Sequence, residues 1–124
     1  MSDDSAPIAQ EFLKFYYAAF ESDRQQLAPL YRNNSKLSHE DNSLTGVEKI
    51  LSHISSMPQV KRELVNMYSH YTNENKNAIM IMMHGHLLAS DTQRMNFVHV
   101  FSLQQEPNGG FYIASEMYQL VFNA

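Results

Sequence analysis

The histidines hold the chemistry most open to this chain. His84 and His86 stand two residues apart in AIMIMMHGHLLA, so on an extended strand they share a face. His99, in MNFVHVFSLQQ, comes opposite them if the SDTQR turn between the two runs is short. Three imidazoles placed in this way suit a zinc ion with one coordination position left open. That reading depends on register, because a slip of one residue sends a side chain to the other face. The other reading, a set of polar residues on an interface, is the one adopted for His84, His86 and His99. A second cluster lies in SHEDNSLTG, residues 38–46, which packs His39, Glu40 and Asp41 between an apparent strand and a helix start. His39 and Glu40 are poorly placed as an acid–base pair, since neighbours on a strand point to opposite faces. Lys49 and His53, four apart at helical spacing, read as a solvated face. The chain has no cysteine, which excludes disulfides, thiolate catalysis and cysteine-based zinc sites together. No catalytic, cofactor-binding or metal-binding set is expected.

The elements that position these groups can be read from periodicity. A chain of 124 residues forms one core, and a single domain over 1–124 is expected. The formal net charge of −4 supplies no basic stripe for phosphates, so a protein partner or a small ligand is expected rather than nucleic acid. No apolar run approaches the roughly 18 residues of a membrane span. The acidic start Ser2-Asp3-Asp4 is unlike a signal or transit peptide, which predicts a soluble, intracellular protein. Ile8, Phe12, Phe15, Tyr16, Ala19 and Phe20 form a stripe at helical spacing, predicting a helix over residues 6–21. Asp23 caps a short second helix through Gln25 and Leu27, with Pro29 disturbing its end. In TGVEKILSHISSMP, Thr45 and Glu48 form a capping box for a third helix that buries Val47, Ile50, Leu51 and Ile54 and ends near Ser56, before Pro58. Asp41 to Ser43 read as a polar turn.

From Val60 onward the period changes to that of strands. ELVNMYSHY, AIMIMMHGHLLA, MNFVHVFSLQQ and FYIASEMYQLVF read as four strands of a meandering antiparallel sheet, separated by polar turns. The fold class is therefore α+β, with three helices packed on a curved antiparallel sheet. Both faces of that sheet are apolar: Ile79, Ile81 and Met83 alternate with Met80 and Met82. In the last strand Phe111, Ile113 and Met117 alternate with Tyr112, Ala114, Tyr118, Leu120 and Phe122. Helices cover only one face, so the other predicts a dimer built sheet against sheet, carrying Met80, Met82, His84, His86 and His99.

Taken in order, FLKFYYAAFESDRQQLAPLYRNNSKLSHEDNSLTGVEKILSHISSMP, then FVHVFSL and SEMYQLVF, resemble the nuclear transport factor 2 family. The landmarks are Phe15, Tyr16, Tyr17 and Phe20; Asp23, Arg24, Gln26 and Leu27 of DRQQL; Leu30 with Tyr31; Gly46; and the turn from Ser55 to Pro58. The resemblance implies a cone-shaped α+β fold, homodimerisation through the sheet, no cofactor and no catalysis. It also implies a cavity that takes an aromatic side chain of the GTPase Ran in its GDP form, ringed by acids, and binding of FxFG repeats of nuclear pore proteins. Such a protein works in the nucleus, at the pore in the nuclear envelope and in the cytoplasm. The residues matching that cavity and rim are His39, Glu40, Met57, Arg62, Ser90, Asp91, Thr92, Met95 and Tyr118, with Glu40 the rim carboxylate.

Several positions depart from the family pattern. His39 replaces an aromatic residue, Asp91 stands alone where two or three acids are expected, Arg62 replaces an apolar residue, and Ser5 stands where an amino-terminal aromatic is expected. These departures suit a second role implied by the same resemblance, the small subunit of a heterodimeric mRNA export receptor that no longer binds Ran. A third role is an enzyme or ligand-binding protein on the same cone fold.

Overall fold

A computed structural model describes residues 4–58, 61–88 and 94–121. The order is helix α1 (Ser5–Ser22), a 3-10 helix (Arg24–Leu30), strands β1 (Tyr31–His39) and β2 (Asn42–Thr45), helix α2 (Val47–Ser55), then strands β3 (Lys61–Tyr71), β4 (Ala78–Leu88), β5 (Arg94–Gln105) and β6 (Phe111–Val121). The strands form one curved, unclosed sheet in the order β2-β1-β6-β5-β4-β3. All neighbours run antiparallel except β1 and β6, whose parallel pairing brings the chain's first strand beside its last. The α+β class and the helices-on-sheet arrangement are those expected from the sequence.

Helix α1 buries Ala9, Leu13, Tyr16, Tyr17, Ala19 and Phe20, at the i, i+4, i+7, i+8 spacing of one helical face. The expected stripe is thus rotated: Ile8 and Phe12 lie at its half-buried margin, and Phe15 is 46% exposed. Asp23 caps the 3-10 helix as expected, its carboxylate accepting from the Gln25 N–H at 3.2 Å. The capping box of α2 does not form. Thr45 ends β2 instead, and Gly46 takes the N-cap position at φ 96°, its N–H donating to the Ser35 carbonyl at 2.9 Å. A side chain is disfavoured at that φ, which explains a glycine there. Asn42 and Ser43, expected in a polar turn, are strand residues that pair with His39 and Ser38. Only Glu40 and Asp41 turn the chain, with Glu40 at φ 53°.

The sheet alternates as expected in β4, where Ile79, Ile81 and Met83 are fully buried while Met80 and Met82 are 40% and 45% exposed. In β6 the alternation is broken by a bulge: Leu103 pairs with Ile113 but Ser102 pairs with Ser115, leaving Ala114 over. One extra residue shifts every later side chain by one face. Ile113 and Tyr118, expected on opposite faces, therefore both point into the core, and Glu116 comes in between them. Phe122 lies outside the described residues.

Candidate functional site

Two regions concentrate the unusual side chains, one on each face of the sheet. On the inner face, the pairings Met83 with His99, His99 with Tyr118 and Tyr118 with His39 set these side chains in one row across β4, β5, β6 and β1. Beneath that row, Glu116 is 2% exposed. Its carboxylate accepts from the Tyr16 hydroxyl at 2.6 Å, the Tyr31 hydroxyl at 2.5 Å and His99 Nε2 at 2.5 Å. The Tyr17 hydroxyl lies 2.7 Å from His99 Nδ1. These contacts agree when Tyr17 donates to Nδ1 and a neutral His99 donates from Nε2. Burial pushes the Glu116 carboxyl up, but the bond from His99 and the two tyrosine hydroxyls outweigh it and hold the group below its ordinary value. Burial, opposed by Glu116, lowers His99. Burial also raises Tyr16, Tyr17 and Tyr31, so the hydroxyls keep their protons and remain donors.

Next to this network is a narrow cavity lined by Tyr16, Phe20, Leu37, His39, Ile54, Met57, Arg62, His99, Glu116 and Tyr118. It has room for about one water molecule. Arg62 lines it from the start of β3, among aromatic rings. The guanidinium carbon sits 4.2 Å from the Phe20 ring centre and 5.7–5.8 Å from those of Tyr17, Phe97 and Tyr118. The Tyr118 hydroxyl is raised by burial and partly relieved by the charge and hydrogen bond of Arg62. Behind the lining, Arg24 donates from Nη1 to the carbonyls of Ile54 at 2.7 Å and Met57 at 2.6 Å and from Nη2 to Pro58 at 3.1 Å. Those bonds tie together carbonyls at and just beyond the end of α2, and they fix Met57 at the cavity. At the mouth His39 Nδ1 lies 2.8 Å from His53 Nε2, and the His39 ring meets Tyr118 edge-on at 4.9 Å. Burial, helped by His53, lowers His39.

The outer face is different in kind. Tyr68, Met82, Val100 and Met117 pair in turn, making an apolar row across β3, β4, β5 and β6. Tyr68 is 65% exposed and Met117 51%. His84 and His86 lie on this face, their ring centres 5.9 Å apart.

Residues 8–120 match the Nuclear transport factor 2 (NTF2) domain. The chain belongs to the nuclear transport factor 2 family. It is 34% identical over 127 residues to the nuclear transport factor 2 of Davidiella tassiana, covering 100% of this chain and 99% of that protein. It superimposes with a TM-score of 0.84 on the structure of nuclear transport factor 2 from Cryptosporidium parvum, 26% identical, with 98% of each chain covered. The Candida albicans Mtr2–Mex67 M domain complex contains a chain that matches with a TM-score of 0.78 at 18% identity, covering 94% of each, a likeness of fold.

Of the positions matched to the family's cavity, His39, Met57, Arg62 and Tyr118 do line one cavity. Glu40 follows His39 and is exposed at the β1–β2 turn. Met95, half-buried opposite Leu87, is not part of the lining. Ser90, Asp91 and Thr92 lie outside the described residues. Met80, Met82, His84 and His86 share the outer face as expected, but His99 does not. It pairs with Met83, not with His84, and so points into the core at 3% exposure. The three histidines cannot converge on one ion. His53, read as solvated, instead meets His39 across the cavity mouth. Glu116 was missed by sequence reasoning. The available signal was the set of tyrosines, Tyr16, Tyr17 and Tyr31, on elements bound for the core, whose hydroxyls need buried acceptors.

Proposed function

We propose that this protein is a non-catalytic nucleocytoplasmic transport factor that works as one domain by gripping partners, moving among nucleus, nuclear pore and cytoplasm. The observation that carries the reading is the match along the whole chain, at 34% identity, to a protein named nuclear transport factor 2. The apolar row on the outer face supports dimerisation sheet against sheet, since a large exposed patch usually marks an interface. His86 supports it too, because its Nδ1 is buried yet has no hydrogen-bond partner. In this reading Glu40 and Asp91 are the rim carboxylates for basic groups of Ran-GDP, and FxFG repeats of nuclear pore proteins are the second class of partner. The absence of catalysis is supported by Glu116, whose oxygens are taken by three donors. No basic stripe favours nucleic acid, and no described helix is long and apolar enough to cross a membrane.

The test is a calorimetric titration of the protein with GDP-loaded Ran, beside a Glu40→Lys variant. Saturable heat that the variant removes is expected; no heat at high micromolar concentration would overturn the Ran part of the reading. One observation favours a second role, that of small subunit in a heterodimeric mRNA export receptor. The cavity has room for about one water molecule, whereas a phenyl ring needs on the order of 100–150 Å³. A partner gripped through the sheet alone, as the fold likeness to the Mtr2–Mex67 complex allows, needs no such space. Light scattering of the protein mixed with an export-receptor domain of the same fold distinguishes the two, by a mass corresponding to one copy of each.

A further inference from the structure

Arg62 is an oddity that neither role explains. Among the described residues the buried side-chain nitrogens without a hydrogen-bond partner are Arg62 Nε, Arg62 Nη1 and His86 Nδ1. Burying a charged donor without an acceptor is costly, and the surrounding rings return only part of that cost. Arg62 is also not alone as a cation. Arg24 lies 4.3 Å over the same Phe20 ring, so two guanidinium groups flank one aromatic side chain. Arg24 makes four carbonyl contacts, to Phe20, Ile54, Met57 and Pro58. Glu116, the one carboxylate in the lining, has its oxygens taken by three donors. The buried N–H groups left without a partner in this cluster belong to Arg62, and with Arg24 and Arg62 set against the single carboxylate of Glu116 the cluster carries one positive charge in excess. The partly exposed members of the lining are His39, Met57 and Arg62 itself, which puts the mouth where the end of β1, the end of α2 and the start of β3 meet.

We propose that this cavity is a carboxylate-binding site, with Arg62 as the residue that recognises the acid. The space decides the class of ligand. The cavity admits only the tip of a ligand at its mouth, and a carboxylate head, flat and anionic, is the smallest such tip that brings charged acceptors to a guanidinium. A tetrahedral phosphate is bulkier than a carboxylate, and a phenyl ring fits only if Arg62 leaves. The aromatic walls exclude water and strengthen the charged hydrogen bond. The acid is a small free carboxylic acid or an acidic side chain of a protein partner, which offer the same chemistry. This goes beyond the partner readings above: it fits a partner gripped through the sheet or the rim, and it keeps an aromatic side chain out of this cavity while Arg62 stays.

The experiment is a titration of the full chain followed by proton–nitrogen NMR, reading the Arg62 Nε–H signal. The probes are acetate with acetamide as its neutral counterpart, a capped Gly-Glu-Gly peptide with its Gly-Gln-Gly counterpart, and inorganic phosphate. Saturable movement of the Arg62 signal with acetate assigns a small acid, with the glutamate peptide alone a protein side chain, and with both the shared group. In each case the neutral counterparts are expected to bind about tenfold more weakly or worse. Arg62→Met is expected to lose the preference for acid over neutral probe, and Arg62→Lys to keep part of it, with thermal melting checking that each variant folds. The proposal is overturned if neither acid moves the wild-type signal, if the neutral probes act equally, or if phosphate binds more tightly than both acids. Because no other protein enters the titration, its outcome is independent of the Ran experiment.

Discussion

The two faces of one sheet solve opposite problems with neighbouring residues. Inside, Met83 is fully buried and the row continues through His99 and Tyr118 to His39, with nearly every polar atom assigned a partner. Outside, one residue away, Met82 is 45% exposed and its row continues through Val100 to Met117. The inner face is polar at its centre yet closed; the outer face is apolar yet open. Stability should therefore reside in the buried network, whereas association should depend on the methionine row. Arg62 is the exception that links them, a half-buried cation whose Nε and Nη1 are left without partners on the closed side.

The largest effect expected is from Glu116→Ala. Losing the acceptor leaves Tyr16, Tyr31 and His99 without their shared partner, and breaking a buried set of this kind costs about 3–5 kcal/mol. Urea denaturation measures it, and a loss under about 1 kcal/mol would show that the network is not what holds the inner face. Next is acid. His99 and Glu116 are both held below their ordinary values of 6.5 and 4.5. The unfolded chain therefore binds more protons, and stability present above about pH 6.5 is lost as pH falls, first through His99 and below about 4.5 through Glu116. The slope is at most about 1.4 kcal/mol per pH unit for each group. A His99→Gln variant should lose the upper part of that dependence in denaturation curves taken from neutral to acid pH. The smallest stability change belongs to Arg62→Met, which removes unpartnered buried donors; it should leave the midpoint of unfolding unchanged or raise stability by about 1 kcal/mol.

Much of this division was legible in the sequence. Long periodic segments announced α1, α2 and the four long strands, and the double apolar alternation of IMIMM gave both faces of β4. What escaped has local causes. Strand β2 is polar at Asn42 and Ser43 because it is a short edge strand exposed on both sides, so hydrophobicity carries no signal there. The bulge at Ala114 has no pattern of its own, yet it decides that Glu116 faces the core. The register between β4 and β5 sets His84 against Val98, and from that parity alone His99 faces away from the other two histidines. Arg62 was legible as a departure from the family pattern, but its place among four aromatic rings depended on elements far apart in the chain.

The outer face is the part of this comparison most open to direct contradiction. Sedimentation equilibrium on the protein alone, from about 1 to 100 micromolar as suits ordinary dimer affinities, reads it without any partner. A mass of twice 14.3 kDa is expected, falling to that of one chain when Met82→Lys and Met117→Lys are combined while the melting curve stays cooperative. A wild-type mass of 14.3 kDa at every concentration would contradict a sheet face built for a second copy.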